Sequence, residues 1–130
     1  GKEYIHGSGE TEGYFHADHD SFLRSMADAA ASVVRYFNGN IAYVNVMKNL
    51  SVDCDCCAVA EDPCMRDIGI LASLDPVAID QACVDLVYAA KDDPGQAHLI
   101  ERIESRNGIL TVKSAAELGI GSREYELIEV

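Results

Sequence analysis

The stretch DIGILASLDPVAIDQACVDLVYAA, Asp67–Ala90, places a strand signal directly before a helix signal. Asp67–Ser73 is an apolar run of strand length, and its unbroken hydrophobicity predicts burial on both faces. Asp75 then offers a side-chain oxygen to the first free amides of a helix. Pro76 takes the first helical position, where its missing N–H costs nothing. Along that helix Ile79, Cys83, Leu86 and Val87 fall on one packed side, while Val77, Asp80 and Val84 share another. A strand that turns at once into a capped helix implies an α/β layered domain.

Working outward, DHDSFLRSMADAAASVVRYFNG carries a second helical pattern, capped by Asp18 or Asp20. Phe22, Met26, Ala29, Val33 and Phe37 recur at three- and four-residue spacing and predict its buried stripe, with Gly39 ending it in a left-handed conformation. Ile41–Met47 is rich in β-branched and aromatic residues and reads as a strand. Beyond the central helix, Gln96–Arg106 reads as a further helix closed by Gly108. ILTV (Ile109–Val112) is a short strand candidate, and Ser114 caps a turn or two of helix stopped by Gly119. REYELIEV, Arg123–Val130, alternates like an edge strand. The expectation is a small mixed sheet packed with three main helices in a single domain, residues 18–130. Residues 1–17, with Gly7, Gly9 and Gly13, read as an irregular extension. Gly1 before Lys2, without an initiator Met, reads as a cleavage scar on a chain that continues further upstream.

The chain has 130 residues, and 48% of them are hydrophobic, enough for one core. Its formal charge is −12, from 22 acidic against 10 basic residues. Such a surface repels phosphates and anionic lipid heads, so neither nucleic acid nor membrane is expected as a partner. No apolar run reaches the ~18–20 residues of a membrane span, and no signal peptide is visible. A cytoplasmic location is the expectation that follows.

Four of the five cysteines lie in SVDCDCCAVAEDPC, Ser51–Cys64. An odd count, the absence of a signal peptide and the adjacency of Cys56 and Cys57 all disfavour a disulfide framework. Packing does not explain the loop either, because Cys54 and Cys56 alternate with Asp53 and Asp55 in a polar segment. Cys83 is the opposite case, a small hydrophobe on an apolar helix face. Metal or cluster ligation explains the loop best. In extended chain, residues i and i+2 point the same way, so Cys54 and Cys56 can present two thiolates to one ion. Cys57, Cys64, His16 and His19 are the candidates to complete the set, and soft thiolates favour Zn²⁺ or an iron–sulfur cluster over Mg²⁺ or Ca²⁺. The plainer alternatives are reduced structural thiols and two solvated histidines near a helix start. Asp67, Asp75 and Asp80 are further candidates. Asp75 is most economically a cap, and Asp80 is the better candidate for a functional carboxylate. No nucleophile elbow, P-loop or dinucleotide fingerprint occurs.

Three blocks, DCDC (Asp53–Cys56), DIGILASLDPVAIDQA (Asp67–Ala82) and ELGIGSREYEL (Glu117–Leu127), resemble the DUF362 proteins, often labelled uncharacterised iron–sulfur centre proteins. The similarity runs from about Asp18 to the end. Many members carry a ferredoxin-like insert whose cysteine runs hold [4Fe–4S] clusters, and this chain contains none of those runs. The resemblance therefore implies an upstream ferredoxin-like module or a redox partner. Carried over, the shared polar positions are Cys54, Cys56, Asp67, Asp75 and Asp80.

The leading expectation is a domain that binds a metal or iron–sulfur cluster, with Cys54 and Cys56 as ligands and a role in electron transfer or sensing. A second is an enzyme in which Asp67, Asp75 and Asp80 line a pocket beside a reactive thiol. A third is an interaction scaffold whose thiols simply stay reduced. Strand direction discriminates between the first two. Parallel strands would bring the thiol loop and the Leu74–Pro76 turn to one end of the sheet, whereas a hairpin would hold them at opposite ends.

Overall fold

The computed structural model describes residues 18–53 and 59–130. Among the described residues it is a mixed α/β domain of four helices and one antiparallel strand pair. In chain order these are α1 (His19–Phe37), β1 (Tyr43–Met47), β2 (Gly69–Ser73), α2 (Pro76–Ala89), α3 (Gln96–Ser105) and α4 (Ile109–Glu117). Among the described residues the sheet is β1 and β2 alone, with Tyr43 opposite Ser73 and Met47 opposite Gly69.

The Asp75–Pro76 signal reads true. Asp75 Oδ1 accepts the amides of Val77 at 2.8 Å and Ala78 at 2.9 Å, and Pro76 opens α2. The other carboxylate oxygen accepts Ser122 N–H at 2.8 Å, so one side chain joins the start of α2 to the C-terminal segment. That segment comes so close that a Cβ on Gly121 would stand 2.8 Å from the Asp75 carboxyl carbon and 2.9 Å from Val77 Cβ.

α2 is a wedge between two core clusters. Val87 belongs to one, with Met47, Val52, Met65 and Leu99. Val77 belongs to the other, with Ala27 of α1 and Val112 and Ala115 of α4. Buried Gln81 is satisfied on both sides: it donates to Asp85 at 2.8 Å and accepts from Arg123 Nε at 2.8 Å.

Several expectations change. α1 starts as expected, with Asp18 accepting Ser21 N–H at 3.0 Å. Its buried residues, however, are Leu23, Ala27 and Ala31, while Met26, Val33 and Phe37 stand exposed. Ala27 and Ala31 let α1 approach α4 closely, which the larger Met26, Val33 and Phe37 would not permit. The helix ends on Asn38, left-handed at φ 47°, one residue before Gly39 at φ 82°. The ILTV segment is the first turn of α4 rather than a strand. Asn107, at φ 48°, reverses the chain after α3, and burial of Leu110 and Val112 overrides their β-branched neighbours' preference. Arg123–Val130 forms no strand. Arg123 and the Tyr125 hydroxyl, 2.8 Å from Asp85, tie this segment to α2 through side chains instead of to β2 through its backbone. Nor is β2 buried on both faces: Val44, Val46 and Ile70 on the outer side are 61%, 60% and 71% exposed.

Replacing Gly121 by Ala should destabilise the fold by ~1–3 kcal/mol, because the added methyl group overpacks the Asp75 cap. Urea denaturation measures it, and a loss under ~0.5 kcal/mol would contradict the close approach described here.

Candidate metal-binding loop and its supports

Because β1 and β2 form a hairpin, residues 48–68 are its long connection, and the thiol segment lies within it. Cys54, Asp55, Cys56 and Cys57 lie outside the described residues, as does His16. What the structure shows is how the chain is held on either side of them. On the first leg, Asp53 Oδ1 receives Arg102 Nη1 of α3 at 3.1 Å, in an ion pair whose side chains are only 20% and 32% exposed. Across the loop, Glu61 N–H donates to Asp53 Oδ2 at 3.1 Å, and Ser51 Oγ donates to Glu61 O at 2.9 Å. On the second leg, Glu61 Oε2 sits 3.0 Å from His98 Nε2, also on α3. The two legs are therefore cross-linked to each other and fastened to one helix.

His98 and Arg102 are four apart on one face of α3, about 6 Å along its axis. At the far end of this helix the backbone carbonyl of Arg106, its last capping residue, accepts His19 Nε2–H of α1 at 2.7 Å. The structure thus brings His19 to the same helix that fastens the loop. It also adds His98, which has no neighbouring ligand type in sequence. The only signal that could have found it is long-range pairing with Glu61.

Cys64, on the second leg, is a half-buried free thiol. It packs beside the Met47–Val52–Met65 cluster, and its amide donates to Leu50 O at 2.8 Å. A Cβ on Gly95 would collide with the Cys64 carbonyl, so glycine there lets the α2–α3 turn close over this leg. Asp93 locks the same turn. It accepts the Arg66 and Gly95 amides at 3.0 and 2.9 Å and the Arg66 Nε at 3.1 Å. Those amide donors, with the guanidinium, hold its carboxyl below the usual carboxylate range.

The aspartates expected to share a pocket are apart. Asp67 caps the near end of β2, accepting Asn49 N–H at 2.9 Å. Asp75 lies past its far end, so the five residues of β2, ~13 Å of strand, separate the two. Both Asp75 oxygens are engaged by amides. Asp80 sits above mid-strand and accepts Asn45 Nδ2 at 2.8 Å, and the same amide lies 3.3 Å from Cys83 Sγ. Burial pushes the Cys83 thiol up, the Asp80 carboxylate adds to this, and the Asn45 amide offsets part of it. Cys83 is a packed, protonated thiol, as its helix face predicted. Among the described residues no group of three His, Cys, Asp or Glu side chains is placed to hold a metal ion. No described helix is long and apolar enough to cross a membrane.

A model of the DUF362 family, described as a domain of unknown function, matches residues 2–85, more than half of the chain. The chain belongs to this family. The match takes in the DCDC and DIGILASLDPVAIDQA blocks and starts within the segment read as an extension, while the ELGIGSREYEL block lies beyond it. Comparison with curated proteins and with solved structures finds no match.

The clasp makes two checks available. A double-mutant cycle of Asp53→Asn and Arg102→Gln should give a coupling of about 1 kcal/mol in urea unfolding, at or above the top of the range for exposed pairs. Additive effects would contradict the ion pair. For Asp93, whose folded pKa is depressed, the contribution to stability is present above the unfolded carboxyl range and is lost as pH falls through the lowered value. An NMR titration should find the Asp93 midpoint below the ordinary value of 3.8, and one at or above it would contradict the amide cage.

Proposed function

We propose that this domain binds a metal ion or an iron–sulfur cluster through the thiolates of the Asp53–Glu61 loop. Cys54 and Cys56 are the primary ligands, and Cys57 with His98 or His19 completes the set. The observation that carries this reading is the double fastening of the loop to α3. Its two legs are cross-linked by Glu61 N–H to Asp53 and secured by Arg102 and His98. A loop held at both ends loses less conformational freedom when its thiolates converge on an ion. The donor set fits: thiolates with an imidazole suit Zn²⁺, and thiolates alone or with histidine suit iron–sulfur clusters. Such a group would supply either a structural cross-link or one-electron chemistry, and the residues of this chain bind and orient it. Cys64, half-buried beside Val52 and Met65, is a further thiol candidate for the set. The family resemblance supports a redox setting, with a ferredoxin-like module or a redox partner as the electron source. A carboxylate–thiol active site draws no support from the separated Asp67, Asp75 and Asp80.

Anaerobically purified Cys54→Ser/Cys56→Ser protein should lose more than nine-tenths of the metal held by the unsubstituted chain and melt at a lower temperature. The His98→Ala variant should lose part of it. Full metal retention in the double variant would overturn the ligand assignment.

A further inference from the structure

The outer edge of β2 opens onto a groove of about 380 Å³, and none of the described residues between Lys48 and Ile68 lines it. Four consecutive β2 residues, Ile70–Ser73, line it, and so do four consecutive residues of the C-terminal segment, Tyr125–Ile128. Successive strand residues point to opposite faces. A cavity that touches four in a row therefore runs along the strand's edge, not over one face. Its floor is Ala78, Ile79 and Ala82 of α2, small or apolar side chains that leave room above the helix. Among the described residues β2 pairs with β1 only, so this edge presents ladder groups without a strand partner. The far wall is acidic. Glu126 lines the groove, Glu124 and Glu129 lie on the same segment, all three are exposed, and none of the described ion pairs involves any of them.

We propose that this groove takes an extended peptide strand from a partner protein, added to the free edge of β2, with apolar side chains toward α2 and lysine or arginine toward the glutamates. Backbone pairing with β2 supplies the affinity, and the two rows of side chains supply the selectivity. The carboxylates select basic over acidic strands, and the shallow alanine floor selects valine-sized side chains over aromatic ones. The open edge then serves as a recognition element and not only as an aggregation hazard. A strand in this slot would also cover Ile70 and Leu127, which are 71% and 56% exposed.

The test is an NMR titration of the ¹⁵N-labelled full chain with three capped heptapeptides: Lys-Val-Lys-Val-Lys-Val-Lys, its glutamate counterpart, and the lysine peptide N-methylated at alternate amides. The lysine peptide should shift the amides of Ile70–Ser73 and Tyr125–Ile128, binding at least tenfold more tightly than either control. Glu126→Lys, an exposed change, should weaken the lysine peptide at least threefold and improve the glutamate one. Equal binding of the N-methylated peptide would mean diffuse attraction to an acidic surface and would overturn the proposal, as would an absence of shifts. Two other occupants would be revealed by the same amides. Shifts that appear on concentrating the chain alone would assign the groove to a second copy, and shifts on deleting residues 1–17 would assign it to that segment. Either would overturn a separate partner. None of these outcomes depends on metal content.

Discussion

The carboxylate of Asp75 is the point from which the rest of the architecture is set. Three backbone amides converge on it, two from the first turn of α2 and one from Ser122. Capping of this kind contributes ~1 kcal/mol to a helix, and its further effect here is directional. It turns the chain sharply after β2, so α2 runs back along the hairpin with one side on β1 and β2 and the other on α1 and α4. Gly121 allows the C-terminal segment to reach the same carboxylate. With α2 placed, Val77 and Val87 at its two ends close the two core clusters.

The thiol loop depends on that placement at one remove. Val87 and Leu99 pack with Val52 and Met65, the residues flanking the thiol segment, so the far end of α2 and the start of α3 form its base. Asp93 and Gly95 bring the α2–α3 turn tightly over Cys64 and Arg66. α3 then presents His98 and Arg102 to the loop. Charged groups along this route do positional work. The Asp53–Arg102 pair is partly buried, so it resists screening better than the exposed Arg24–Glu117 and Lys48–Asp67 pairs elsewhere.

What could be read from the sequence was local. The Asp75–Pro76 cap, the Asp18 cap and the helices over Gln96–Ser105 and Pro76–Ala89 follow from residues within one turn of each other. The buried face of α1 did not follow, because hydrophobicity ranks Met26, Val33 and Phe37 above Ala27 and Ala31, whereas close helix packing rewards the smaller side chains. ILTV misled for a related reason, since β-branched residues favour strands unless tertiary burial decides otherwise. The hairpin and the α3 clasp were out of reach. The Asp53–Arg102 pair joins residues 49 apart and the Glu61–His98 pair residues 37 apart, and no pattern within one element encodes either. Cys83 was legible as a packed thiol because its neighbours recur on one helix face.

Metal ligation by the loop clasped onto α3 has a direct spectroscopic signature. X-ray absorption at the metal edge of the anaerobically purified chain would identify the element and its neighbours together. Sulfur scatterers at about 2.3 Å, with or without a nitrogen shell near 2.0 Å, are the predicted result. A protein that takes up no metal, or whose metal shows only oxygen and nitrogen neighbours, would contradict thiolate ligation by this loop.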